Sequence, residues 1–194
     1  MNETAAMYGT RRSPRLSAEE RREAIVAAAM DELAAHGLAG AKVDEVARRA
    51  GVSQPYVYQL FGTKKDLFLA VVRRCFERTR LAFEEAVRHY QVGDFPGCDS
   101  PLTAMGMAYK DLLDDRTLLL VQLQAYAACS DAEVREVVRE EFARVHRYVA
   151  AASGASVEEI HHFFAEGMLM NIGAAVRDPG EPFSWSLEQL GGAH

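Results

Sequence analysis

Residues 43–68 read VDEVARRAGVSQPYVYQLFGTKKDLF and contain two short helical segments joined by a glycine turn. Apolar residues such as Val46 and Ala47 recur at helical spacing in the first segment, and Gly51 suits the left-handed backbone of a tight interhelical turn. Ser53 is placed to cap the second segment, because its hydroxyl oxygen can accept from N–H groups of the first turn. The stretch predicts a helix-turn-helix, in which the second helix enters the major groove of DNA.

The second helical segment carries polar side chains where its first turns would face outward. Gln54 can pair with an adenine edge through its amide, and Tyr56 can contact a thymine methyl group or a phosphate. Tyr58 and Lys64 suit the phosphate backbone, where the positive N-terminus of the helix that follows Thr63 adds to the attraction. These residues predict a double-stranded DNA operator as the partner, and regulation rather than catalysis as the activity.

The net charge of −6 is distributed unevenly along the chain. Residues 1–65 hold ten Lys and Arg against eight Asp and Glu, whereas residues 66–194 hold twelve against twenty. A protein that binds a polyanion needs a positive surface only where it docks, so the segregation is compatible with DNA binding. The first residues form either a flexible basic arm or a solvated tail, and the arm's candidate DNA contacts are Arg11, Arg12 and Arg15.

Helix-capping signals extend through the rest of the chain, and no segment alternates as a strand would. Capping boxes begin at Ser17, Thr63, Ser130 and Ser156, and Gly37 is expected to end the first helix. The sequence therefore predicts an all-α fold. Its helices are predicted over 17–37, 43–50, 53–61, 63–90, 101–114, 116–129, 131–152 and 156–176, with an arm at 1–16, one domain at 17–62 and a second at 63–194.

Several other classes of protein are disfavoured by the composition. No apolar run approaches the roughly 20 residues that cross a bilayer, and the N-terminal residues lack the apolar segment of a signal peptide. Cys75, Cys98 and Cys129 are odd in number and widely spaced, which favours reduced thiols over a disulfide framework or a zinc site. A cytoplasmic location is expected, with no membrane partner.

The helix-turn-helix resembles the DNA-binding domain of the TetR family of bacterial transcriptional regulators. The resemblance is carried by Ala50-Gly51-Val52-Ser53, followed in register by Tyr58, Phe61, Lys64 and Leu67. It covers about 50 residues by motif, and the chain length and helical remainder extend it to the whole protein. It implies an N-terminal three-helix DNA-binding domain, a C-terminal ligand-binding and dimerisation domain, and binding to DNA as a homodimer.

Two residues depart from the family pattern. Lys42 stands where Thr or Ser usually begins the bracing helix, so an ammonium replaces a hydroxyl near the phosphates. Leu60 stands where His or Tyr is common, which removes one expected polar contact. Both bear on operator preference, since phosphate contacts fix the register of a protein on DNA. The predicted DNA contacts are Lys42, Ser53, Gln54, Pro55, Tyr56, Tyr58 and Lys64.

A buried helix with polar residues indicates where a ligand would bind. Residues 116–130, RTLLLVQLQAYAACS, are apolar on nearly all sides, yet they include three polar side chains at 122, 124 and 126. An apolar pocket with a few polar groups is the usual composition of a small-molecule site. The alternative is an ordinary core with hydrogen-bonded glutamines. The predicted ligand-binding residues are Phe83, Met105, Tyr109, Gln122 and Tyr126.

The last predicted helix carries small residues that allow close helix packing. Residues 160–176, IHHFFAEGMLMNIGAAV, are interpreted as a dimer interface together with 131–152, the alternative being a core helix within the chain. Two recognition helices about 34–36 Å apart are needed to read successive major grooves, which also requires a dimer. The predicted interface residues are Ile160, Phe164, Gly167, Met168, Asn171 and Ala175.

Together these features predict a ligand-responsive repressor that binds a palindromic operator as a dimer and is released by a small apolar or amphipathic molecule. A ligand-independent regulator or an activator is the first alternative. A helical metal-dependent enzyme is the second, because Glu158 and Glu159 each precede a histidine by three residues. Such a metal site requires a second Glu-x-x-His unit, which the sequence lacks. We therefore predict no catalytic residue, no metal ligand and no cofactor.

Overall fold

The computed structural model describes residues 17–95 and 97–176, and these residues form eight α-helices and no strand, which confirms the predicted all-α class. The predicted arm residues Arg11, Arg12 and Arg15 lie outside the described residues. None of the described helices combines the length and apolarity that crossing a bilayer requires. The helices are α1 (Ala18–Gly40), α2 (Val43–Arg49), α3 (Gln54–Phe61), α4 (Lys64–Gln91), α5 (Pro101–Leu112), α6 (Arg116–Ala127), α7 (Ala132–Ser153) and α8 (Val157–Val176), with a 3₁₀ turn at Ala128–Ser130 before α7.

Three of the four predicted capping boxes are confirmed. Ser17 and Thr63 cap α1 and α4, and the Ser156 hydroxyl accepts from the backbone N–H of Glu159 at 3.3 Å. The prediction at Ser130 is wrong by one residue, because Asp131 is the N-cap of α7. Its carboxylate accepts from two backbone N–H groups of the first turn, whereas Ser130 belongs to the preceding 3₁₀ turn.

Gly37 interrupts α1 as predicted, but the chain resumes a further turn to Gly40. The φ of Gly37 is 62°, a left-handed conformation that glycine adopts without steric cost. A Cβ atom at this position would lie 2.5 Å from Gln124 Oε1. The glycine therefore serves two purposes, since it bends α1 and lets α6 approach the backbone of α1 closely.

The first three helices pack around a small apolar core in which Ile25, Val46 and Val57 are fully buried. The carboxylate of Glu32 lies at its edge with the side chain only 3% exposed. It accepts from the backbone N–H of Lys42 at 3.1 Å and pairs with Arg49 at 3.6 Å. Glu32 thus joins α1 to both ends of α2, a role that the sequence pattern did not indicate.

Two helices connect the N-terminal helices to the C-terminal ones. α4 packs against α1 and α3 near its start and against α5, α6 and α7 along the rest of its length. α6 packs against α1 on one side and against α7 and α8 on another. A displacement of either helix would therefore change packing contacts in both parts of the molecule.

Candidate functional site

The outward face of α3 presents polar side chains on a firmly seated helix. Ser53 caps α3, its hydroxyl accepting from the backbone N–H of Tyr56 at 3.4 Å. Gln54 and Tyr58 are exposed, whereas Val57 is buried beneath them. Ser53 and Pro55 are likewise exposed, and Tyr56 is half-buried. All of the predicted DNA contacts on α3 therefore retain some exposure, as a helix that reads a groove requires.

The turn between α2 and α3 holds the two helices at a fixed angle. Gly51 has a φ of 67°, and the backbone N–H of Val52 donates to the carbonyl of Ala47 at 3.0 Å. At the far end of α3, the guanidinium of Arg22 lies 4.3 Å from the ring centre of Phe61, in a cation–π contact. α3 is thus anchored at both ends, which limits its motion relative to α1 and α2.

Lys64 has a structural role that the sequence did not predict. Its ammonium donates to the carbonyl of Ala39 at 3.0 Å and to that of Ala41 at 3.3 Å. These carbonyls lie at the negative C-terminal end of α1, where a cation is stabilising. Lys64 therefore fixes the start of α4 to the end of α1, and any phosphate contact would share the ammonium with these two carbonyls.

Lys42 differs from Lys64 in being exposed, and its side chain makes no capping hydrogen bond at the start of α2. The arginines of α2 are engaged by a carboxylate of the same helix, since Glu45 accepts from Arg48 and from Arg49 at 2.9 Å each. The bonds from Arg48, and then those from Arg49, lower the pKa of Glu45 to about 2. Much of the positive charge of α2 is therefore neutralised internally.

A small apolar cavity lies among the C-terminal helices and has a volume of about 40 Å³. A single water needs roughly 10–15 Å³ on this scale, so the space holds only a few waters. α4 contributes three lining residues at i, i+3 and i+7, a spacing on one helical face that could have been read from the sequence. The lining residues are Phe76, Thr79, Phe83, Tyr109, Gln122, Phe142, Val145, Phe163, Phe164, Gly167 and Met168.

Three of the five predicted ligand-binding residues, Phe83, Tyr109 and Gln122, line this cavity. Met105 is fully buried, but the cavity wall does not include it. Tyr126 lies one turn beyond Gln122 and faces a surface groove instead. It contacts the cavity indirectly, because its hydroxyl accepts from the Gln122 amide at 2.9 Å.

A buried polar network reaches the cavity wall. The Tyr109 hydroxyl lies 2.7 Å from Asn171 Oδ1 and 3.2 Å from Gln122 Oε1, which joins α5 to α8 and α6. Burial raises the pKa of Tyr109 well above its usual range and that of Tyr126 to about 12. Both phenols therefore remain neutral hydroxyls at physiological pH.

The predicted dimer face of α8 is turned toward its own chain. Ile160 and Asn171 are buried within the chain, so the prediction that they form an interface is wrong. Gly167 packs against the ring of Tyr109, and Phe164 and Met168 line the cavity. Ala175 is half-buried and stays a prediction. The exposed face of α8 carries Ala165, Ile172 and Val176 instead.

The acidic and histidine residues of α8 do not assemble into a metal centre within the described part of the chain. There, no group of three His, Cys, Asp or Glu side chains is placed to hold a metal ion. Glu159 is engaged in the capping box, where it accepts from the Ser156 backbone N–H at 2.8 Å. Cys75 is buried, and burial raises its pKa to about 12, which disfavours the thiolate.

Comparison with known proteins agrees with the geometry of the N-terminal helices. Residues 25–71 match the family described as "Bacterial regulatory proteins, tetR family". This segment of the chain belongs to the TetR family. The transcriptional activator FasR of Mycolicibacterium smegmatis is 40% identical over 80 residues, which cover 41% of this chain and 36% of FasR. The similarity to this TetR-family relative thus spans about a third of its length.

Solved structures show that the similarity of fold extends beyond the matched segment. FadR from Bacillus subtilis, in complex with stearoyl-CoA, has a TM-score of 0.61 at 18% identity, covering 79% of this chain and 84% of FadR. The multidrug-binding protein EbrR, complexed with malachite green, has a TM-score of 0.63 at 22% identity, covering 82% and 90%. These similarities establish the fold of both helical parts.

Proposed function

We propose that this protein is a DNA-binding transcriptional regulator of the bacterial cytoplasm that binds a palindromic operator as a homodimer. The observation that carries the proposal is the outward face of α3, where exposed Gln54 and Tyr58 stand on a helix capped by Ser53 and anchored by buried Val57. The match of residues 25–71 to the TetR family supports the same function.

In the proposed complex, some residues read the base sequence and others position the protein on the DNA backbone. Gln54 and Tyr56 contact base edges in the major groove, and the exposed Tyr58 and Lys42 contact phosphates. Ser53 and Pro55 lie at the N-terminus of α3, whose positive end favours a phosphate. Lys64 acts mainly by holding α1 and α4 in place.

Selection of operators from a random DNA pool tests this proposal. Wild-type protein should enrich one palindromic site. Gln54→Ala should change the enriched sequence, whereas Tyr58→Phe should weaken binding to all sequences alike. Gln91→Ala is a control at the other end of α4, about 40 Å from its start at 1.5 Å per residue. Enrichment of the same site by Gln54→Ala would contradict the assignment of α3 as the reading helix.

We further propose that a small molecule bound in the cavity weakens operator binding. FadR and EbrR show that this fold accommodates ligands as different as stearoyl-CoA and malachite green. The present volume of about 40 Å³ implies that the lining helices separate when a ligand binds. The same small volume favours the second candidate, a regulator that needs no ligand.

Both helices that would move connect to the DNA-binding domain. α4 lines the cavity through Phe83, and at its start Lys64 bonds the end of α1. α6 lines the cavity through Gln122, and two residues later Gln124 packs against Gly37 of α1. Separation of α4 from α6 would therefore change the position of α1, and with it the spacing of the two recognition helices.

The mutual effect of compound and operator on each other's affinity distinguishes the ligand-responsive regulator from the ligand-independent one. If a compound weakens operator affinity by a given factor, the operator must weaken compound affinity by the same factor. Isothermal titration of the compound with and without operator DNA measures this directly. Equal compound affinities in the two titrations would favour the ligand-independent regulator.

A further inference from the structure

The cavity wall is uncharged throughout. Five of its lining residues are phenylalanines, and its polar atoms come from Thr79, Tyr109 and Gln122. Among the described residues that line it, none is Asp, Glu, Lys, Arg or His. Burial of a charge costs far more than burial of a neutral polar group unless a partner of opposite charge is present.

Four charged side chains of α4 and α7 that neighbour cavity residues in sequence are committed to one another. Glu141 is buried and pairs with Arg144 at 3.1 Å, and Arg80 pairs with Glu84. These four residues line a separate groove between α4 and α7. None of these four side chains could pair with a charged ligand in the cavity unless an existing ion pair broke.

The polar network leaves one acceptor only partly used. The Tyr109 hydroxyl has a single proton, and it is closer to Asn171 Oδ1, at 2.7 Å, than to Gln122 Oε1, at 3.2 Å. The amide nitrogen of Gln122 already donates to Tyr126. With the Tyr109 proton on Asn171, the Gln122 oxygen is free to accept from a ligand.

We propose that the cavity selects a compact, uncharged aromatic molecule whose hydroxyl or amide N–H donates to Gln122 Oε1. The phenylalanine rings provide edge and face contacts for an aromatic ligand. The inference rests on the proposed function only in taking the cavity as the effector site, and it excludes carboxylates, phosphates and ammonium ions as good ligands.

Four naphthalene probes of closely similar size test the inference by fluorescence titration of the full chain at pH 7. They are 2-naphthalenemethanol, 2-methylnaphthalene, 2-naphthoate and 2-naphthylmethylammonium. We expect the alcohol to bind about tenfold more tightly than either ion, since an unpaired charge is costly in this wall. It should bind about fivefold more tightly than the hydrocarbon, the usual net effect of one hydrogen bond.

Matched variants locate the contact. Gln122→Met removes the acceptor at nearly constant volume, so the alcohol and the hydrocarbon should bind alike. Gln124→Met makes the same change two residues away, at a side chain that faces Gly37 rather than the cavity, and should leave the preference intact. Gly167→Leu places a side chain in the cavity and should abolish binding of all four probes.

The inference is overturned if either ion binds as tightly as the alcohol, if no probe binds, or if Gln122→Met retains the preference for the alcohol. If Gln122→Met fails to fold, the relative affinities of the four probes for the wild-type protein still test the inference. Operator release is measured separately. Selective binding of the alcohol without release would support the inference while counting against the ligand-responsive regulator.

Discussion

At the scale of single residues, Gly37 and Gly167 both lie in helices, but substitution by alanine should change the free energy of unfolding in opposite directions. Gly37→Ala should lower the free energy of unfolding by about 1–3 kcal/mol, because φ is 62° and the new Cβ would meet Gln124 Oε1 at 2.5 Å. Gly167→Ala should raise it by about 0.5–1 kcal/mol, because alanine favours a helix interior and its Cβ would lie in ordinary contact, 3.5 Å from the Tyr109 ring. Urea denaturation at equal protein concentration measures both, and changes of the same sign would contradict this account.

Tyr109→Phe tests the buried network at the same scale. The fully buried Asn171 would lose the donor to its oxygen, which should cost about 1–3 kcal/mol. Tm should fall by roughly 2–4 °C per kcal/mol for a chain of this size. Tyr90→Phe is the matched control, since the Tyr90 hydroxyl donates to the carbonyl of Asp99 at an exposed site and its loss should leave Tm nearly unchanged. Equal changes in Tm for the two variants would contradict a stabilising role for the buried network.

At the scale of elements, the junction of α1 and α4 separates the roles of two lysines. Lys64→Ala should lower both Tm and operator affinity, because it releases the start of α4 from the carbonyls of Ala39 and Ala41. Lys42→Ala should leave Tm unchanged and reduce the slope of log affinity against log salt by about one. Fluorescence anisotropy over a salt series, with thermal melting of the same samples, checks both. A reduced salt slope with unchanged Tm for Lys64→Ala would show that Lys64 contacts a phosphate rather than holding α1 and α4 together.

The beginnings of helices were predictable from the sequence because capping is local. Ser17, Thr63 and Ser156 each bond to a residue three positions ahead, so the pattern contains both partners. The predicted start of α7 is one residue too early because the adjacent Asp131 is the N-cap, and one of its carboxylate oxygens accepts from both Glu133 and Val134 N–H groups.

The surroundings of α8 were not predictable in the same way. Helical periodicity shows which residues share a face, but not which neighbour covers that face. The decisive partner of Asn171 is Tyr109, 62 residues earlier, and only the packed fold brings them together. The cavity was partly predictable for the same reason, since polar residues within apolar α6 were visible, whereas the outward turn of Tyr126 was not.

At the scale of the whole molecule, charge and apolar surface are arranged for different partners. The first 65 residues carry a net charge of +2 and the remainder a net charge of −8, so the N-terminal third of the sequence is the part that favours contact with a polyanion. On the exposed face of α8, Ile172 is 53% and Val176 64% exposed. We infer that a second copy of the chain covers this face, because a homodimer would bury it and pair two recognition helices.

Ile172→Glu tests this arrangement. A charge on the exposed face of α8 should favour the monomer, and loss of the second half-site should weaken binding to the full palindrome by about a hundredfold. Binding to an isolated half-site should not change, since α3 is distant in sequence and its seating on Val57 is untouched. Val92→Glu is the matched control, because Val92 is 70% exposed at the end of α4 and should affect neither property. Sedimentation equilibrium measures the oligomeric state, and anisotropy measures the affinity for each DNA. A dimer that survives Ile172→Glu with full operator affinity would place the interface elsewhere. A monomer that keeps full affinity would show that one operator does not need two recognition helices.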